Sequence, residues 1–163
     1  MYVIRFMSST EANAYMRKEE LTNNTQWQLL SKAKGFCFLP VADTSIEEII
    51  IAYSWLEGNS AADSADCAII FECDEHRMQK TTFVANITGR YDTRVVEYST
   101  THYCYDDLHA VELVHMTAQE IRNIRIKLFG STNFLTEDMI RNDSLRYAGY
   151  EANWQYYEAA VWE

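Results

Sequence analysis

Proline and glycine are scarce in this chain. One proline, Pro40, and five glycines in 163 residues leave no composition for a long flexible linker. No stretch nears the roughly 18 consecutive apolar residues that a membrane-crossing helix needs, so a helical span is excluded. The opening residues, MYVIRFMSSTEANAY, lack a basic stretch ahead of an apolar one. No signal peptide is read there, and a cytoplasmic protein is expected. Cysteine pairs at Cys-x-x-Cys spacing are also missing. Cys37, Cys67, Cys73 and Cys104 lie far apart, three of them in apolar runs, which predicts core thiols rather than disulfides or a metal centre.

Hydrophobic residues make up 48% of the chain and aromatics 13%, which argues for a folded globule and against disorder. At this length one domain can bury a core without metal or disulfide support. Basic residues are outnumbered, 14 against 24 acidic, for a formal charge of −10. The excess is concentrated in the middle, because residues 36–112 hold four basic and fourteen acidic side chains. Ordinary duplex binding is excluded by that balance, since phosphates need clustered Lys and Arg. A basic partner surface suits it, including the nucleic-acid groove of another protein. The plainer alternative is a soluble acidic surface without a partner.

Along the chain, Tyr2 to Met7 reads as a strand interrupted by Arg5. Ser8-x-x-Glu11 is a capping box, followed by a helix through about Leu21 that shares Ala12, Tyr15 and Met16 on one face. Thr22 to Thr25 reads as a polar turn, and Gly35 to Leu39 as a strand stopped by Pro40. Ser45-x-x-Glu48 opens a second helix with Ile46, Ile49, Ile50 and Tyr53 at buried-helix spacing. Gly58 to Ser64 reads as a loop. Strands are predicted at Cys67–Glu72, Thr81–Ile87, Thr93–Ser99 and His109–His115. Thr117-x-x-Glu120 opens a helix or turn, but Ile124, Ile126 and Leu128 alternate as in a strand, so residues 121–128 stay open between the two. The last thirty residues look helical, with Trp154, Tyr157 and Val161 on a stripe that suits core or interface. The expected class is α+β: a mainly antiparallel sheet with packed helices over 1–128 and a helical extension over 129–163 on the same domain.

Three groups of residues carry candidate chemistry. Arg5 is a charge inside an apolar strand, which must face solvent, an acid or a ligand. As a ligand-facing group its guanidinium would clamp phosphate; otherwise it points outward or forms an internal ion pair. Glu97 interrupts a strand and is placed to hold a ribose hydroxyl or steady a developing cation, or to pair with Arg94 or Arg90. His102, Cys104 and His109, with Asp106 and Asp107, suggest a metal or a Cys–His nucleophile, but their spacing is looser than zinc sites show. The acids Asp43, Glu47, Glu48, Asp63, Asp66, Asp74 and Glu75 are the candidate contact residues for a basic partner, on the expectation that they gather on one face.

Arg5 on a first strand, a helix, the strand Gly35-Phe36-Cys37-Phe38 and a late Glu97 form a layout that resembles the ADP-ribosyltransferase fold. The resemblance covers about residues 2–128. It implies NAD as cofactor, Arg5 as the residue that holds the dinucleotide, Phe36 and Phe38 against nicotinamide, and Glu97 as the catalytic residue. The Ser-Thr-Ser triplet of that family's second strand is absent, as is a Glu-x-Glu or Gln-x-Glu at Glu97. In overall character the chain is also similar to small acidic proteins of phages and mobile elements. That likeness implies a second reading, an anti-CRISPR-like inhibitor that occupies the basic groove of a host defence nuclease without catalysis.

Overall fold

The three longer helices open where a hydroxyl can satisfy their free N–H groups. The structure, a computed structural model, describes residues 1–22, 35–56, 59–87 and 91–129. Ser8 caps α1 (Ser9–Met16), accepting from the Glu11 N–H at 3.2 Å. Ser45 accepts from the Glu48 N–H at 3.3 Å at the head of α2 (Ile46–Leu56). Thr117 and Glu120 close a reciprocal box at the start of α4 (Ala118–Phe129). The segment left open between helix and strand is therefore helical. Its Ile121 is buried against the sheet while Ile126 stays exposed, a 3.6-residue pattern that local alternation had obscured.

The first helix is shorter than the sequence suggests. It stops at Met16 because Lys18 turns into the left-handed region, at φ 62°. The Glu19 N–H then bonds to the Ala14 carbonyl and the Lys18 N–H to the Tyr15 carbonyl, a helix stop normally built on glycine. Leu21–Thr22 forms a short strand, β2, paired with β7 (His102–Tyr103). A single helical turn, α3 (Ser60–Asp63), stands inside the segment read as a loop.

The main sheet is antiparallel throughout and runs β5-β6-β3-β1-β4-β8. Its strands are β1 (Tyr2–Met7), β3 (Phe36–Val41), β4 (Cys67–Glu72), β5 (Gln79–Ile87), β6 (Tyr91–Thr100) and β8 (His109–His115). The α+β class expected from the sequence is what is seen. Pro40 does not end β3 but sits inside it opposite Val3. It lies beyond the three residues, Phe36 to Phe38, that pair with β6, where a missing N–H disrupts least.

Both faces of the sheet are covered. On one, Ile4, Phe6, Leu39, Ile70 and Val95 pack beneath α2 and α4 through Ile50, Tyr53 and Ile121. On the other, Met7, Phe36, Phe38, Phe71 and Tyr98 meet Tyr15 of α1 and Tyr103. No described helix is long and apolar enough to cross a membrane. Beyond Phe129 the proposed helical extension, with its Trp and Tyr stripe, lies outside the described residues, as do residues 23–25 of the expected polar turn.

Candidate functional site

Alternation along the strands decides first which residues can meet. Phe38 and Tyr98 are register partners and share a face, so Glu97, next to Tyr98, points to the other one. Arg5 lies on the Phe38 side, its guanidinium carbon 5.1 Å from the Phe36 ring centre and 5.7 Å from that of Phe38. Arg5 and Glu97 therefore occupy opposite faces of the sheet and do not open into a common cleft.

Each also has partners at home. Arg5 donates from Nε to Glu11 Oε1 at 2.6 Å, from Nη2 to Glu11 Oε2 at 3.1 Å and from Nη1 to the Cys37 carbonyl at 3.0 Å. Neither side chain of the Arg5–Glu11 pair has any exposed surface. The Tyr103 hydroxyl also donates to Glu11. Burial, and then the Glu11 charge, push the Tyr103 hydroxyl well above the usual tyrosine range. Phe36 and Phe38 are buried against Tyr103, with ring centres 4.9 and 5.5 Å away. Glu97 is 6% exposed and accepts from the Thr81 hydroxyl at 3.1 Å, on the face covered by α2. Glu11 and Tyr103 are the partners that sequence reasoning missed. Glu11 looked like a capping-box acid, and only its backbone plays that part.

Surface acids sort by the ends of the strands. Tyr2 opposes both Val41 and Glu72, and Glu72 opposes His109. The exits of β3 and β4 and the entries of β1 and β8 thus share one edge of the sheet. Asp43 and the first-turn residues Glu47 and Glu48 follow β3 there, Asp74 and Glu75 follow β4, and Asp106 and Asp107 precede β8. Asp63 and Asp66 instead precede β4 at Cys67, which opposes Met7 at the far edge. Five of the seven proposed contact acids are brought to one edge, and two are not.

Several of these acids also have structural work. Glu48 accepts from the Ala42 N–H at 2.8 Å, Asp43 from the Ser45 N–H at 2.8 Å and Asp74 from the His76 N–H at 3.0 Å. Glu75 accepts from the Tyr98 hydroxyl at 2.9 Å. Burial, and secondly that bond, raise the Tyr98 hydroxyl to about 12. Asp63 binds Arg122 at 2.9 Å and accepts from Tyr53, which ties α2, α3 and α4 together.

A cleft opens at the acidic edge. Its larger cavity, about 410 Å³, is lined by Glu72, Asp74, Asp106, Asp107, Arg77 and His109, with Met1 and Cys73 beside them. A smaller one, about 290 Å³, adds Met78, Thr100, His102 and Leu108 and shares Cys73, Arg77 and Asp107 with the first. Arg77 bridges to Asp107 at 3.0 Å, within the walls common to both. Four carboxylates thus face one guanidinium, the Met1 ammonium and one imidazole, so the cavity keeps an excess of negative charge that attracts cations. Tyr105 stands 40% exposed beside it, its ring 5.5 Å from that of His109 and 5.0 Å from Lys18 Nζ. His102, Asp107 and His109 do line this cleft, and the Cys104 thiol reaches Asp107 at 3.4 Å. No group of three or more His, Cys, Asp and Glu among the described residues is arranged to hold a metal ion.

No protein-family model, curated protein or solved structure matches the chain.

Proposed function

We propose that the protein is a binding module that presents the acidic edge around Glu72, Asp74, Asp106 and Asp107 to a basic protein surface. The observation that carries this reading is the convergence of three strand connections there. They bring Asp43, Glu47, Asp74, Glu75, Asp106 and Asp107 to the same end of the strands, where Asp74, Asp106 and Asp107 line a cleft. Tyr105 supplies an exposed aromatic anchor beside that cleft, of the kind that concentrates interface energy. The partner class is a protein surface rich in Arg and Lys, such as a nucleic-acid groove, where a carboxylate rim takes the place of phosphates. In that setting the module acts by occupying the groove, with no bond made or broken. The placement of Arg5 and Glu97 on opposite faces, each with internal partners, favours this reading over a NAD-cleaving site.

Charge reversal combined with salt tests it. Fluorescence anisotropy with an arginine-rich peptide as probe is followed from about 0.1 to about 1 M salt, where the screening length falls from about 10 to about 3 Å. Affinity is expected to drop steeply over that range. An Asp74→Lys, Asp106→Lys double variant is expected to weaken binding at least tenfold at the lower salt. A Glu20→Lys control on the exposed segment after α1 should change it little. Salt-independent binding, or equal loss in the control, would sink the proposed interface.

A further inference from the structure

The smaller cavity beside the acidic edge contains a different chemistry. Cys73 and Met78 lie at the two ends of the short crossover that leaves β4, with the 3₁₀ turn Glu75–Arg77 between them. That turn folds the connection back, with the Arg77 N–H bonded to the Asp74 carbonyl and the Met78 N–H to the Glu75 carbonyl. The result sets the Cys73 sulfur 3.6 Å from the Met78 sulfur. Both residues line the cavity, and His102 lines it as well.

Two sulfurs at that separation are spaced as neighbouring ligands of one ion. With metal–sulfur bonds of about 2.3 Å, they subtend roughly 100° at the metal. A thiolate and a thioether are soft donors, and that pairing selects a soft monovalent ion over zinc, which takes thiolate, imidazole and carboxylate in closed sets of four. We propose that Cys73 and Met78, with the His102 imidazole in the cavity wall, form a binding site for a soft d¹⁰ cation of the Cu(I) and Ag(I) class. On binding, the Cys73 S–H bond is replaced by an S–metal bond and the proton leaves to solvent. No electron is transferred.

Asp107 lines the same cavity with Arg77, while Glu72 and Asp74 line the adjoining one with the Met1 ammonium. Because the Cys73 proton leaves as the monovalent ion arrives, binding adds no net charge to this mixed surrounding. Cys73 is 9% exposed, so a bound ion would be largely sheltered from competing ligands. The other thiols are placed differently. Cys67 is fully buried and held to the Met7 carbonyl at 3.3 Å, and Cys104 is engaged with Asp107.

Anaerobic titration of the reduced full chain with Cu(I), in competition with bicinchoninate, reads this site directly. The parent is expected to take one equivalent with an affinity at least tenfold above that of the Cys73→Ser and Met78→Leu variants. Met78→Leu conserves volume in a half-buried site, so its fold should persist, and thermal unfolding of each variant checks this. Cys104→Ser should bind as the parent does, and His102→Ala should bind more weakly. X-ray absorption of the loaded protein should show two sulfur neighbours. Unchanged affinity in Met78→Leu, loss that follows Cys104→Ser instead, or a single sulfur neighbour would overturn the assignment. None of these outcomes bears on the acidic-edge interface, which is tested with the peptide in the absence of metal.

Discussion

Arg5 takes a full charge into the middle of a strand whose neighbours are apolar, and α1 returns Glu11 to meet it. The two side chains form a forked pair without solvent contact, closed by Tyr103 and the Cys37 carbonyl and flanked by two phenylalanine rings. Removing one partner leaves the other charge buried and unpaired, which typically costs about 3–5 kcal/mol. Glu11→Ala is therefore expected to lower the thermal midpoint by roughly 10 °C, since each kcal/mol shifts a domain of this size by about 2–4 °C. A change of a degree or two would show that Arg5 finds relief elsewhere. Tyrosine ionisation gives a second test at this scale. Burial raises the Tyr15 and Tyr98 hydroxyls to about 12 in the folded protein, against an ordinary value near 10. The neutral forms thus favour the fold. That contribution is complete below about pH 10 and is lost as pH rises toward about 12. Absorbance at high pH should show these two tyrosines ionising late, together with unfolding rather than before it.

At the scale of single elements, two backbone positions outside ordinary geometry make opposite predictions. Gly35 enters β3 at φ 91°, and a Cβ there would stand 2.4 Å from the Thr100 carbonyl oxygen. Gly35→Ala should destabilise by at least about 1 kcal/mol, read as a lower urea midpoint with an unchanged slope. Lys18 stands at a helix stop that suits glycine. Lys18→Gly should raise the urea midpoint, by up to about 1 kcal/mol once the greater freedom of unfolded glycine is set against the relief of strain. The capping boxes were legible because hydroxyl and carboxylate at i and i+3 satisfy local N–H groups whatever surrounds them. The end of α1 was not, because nothing in the identity of a lysine announces a left-handed turn.

For the whole molecule, charge and topology together set the expected behaviour. The acidic excess of residues 36–112 is spread over the connections of a six-stranded sheet, and the strand order chooses where each piece lands. Since β1 lies between β3 and β4, antiparallel pairing carries both exits to one edge and leaves Asp63 and Asp66 at the other. The proposed interface should accordingly be regional. Lysine substitutions around the Glu72 edge should abolish peptide binding, while Asp66→Lys should leave it within a factor of about two at moderate salt. Anisotropy of the same probe checks both. A uniform response to every reversal would mean that net charge alone drives association.

Chain-local chemistry was determined by the sequence itself. Strand bounds at Tyr2–Met7, Cys67–Glu72 and His109–His115, the three capped helix starts and the α+β class follow from patterns that neighbours along the chain impose. Pairings across the sheet were decided only by the tertiary structure. Whether Arg5 meets a ligand or Glu11, and whether Glu97 shares its face, depends on strand order and on a parity of one residue in register. The meeting of Cys73 with Met78 depends on how tightly a six-residue crossover turns. Side-chain alternation is a local property, but the partner across the sheet is chosen by the closure of the whole core.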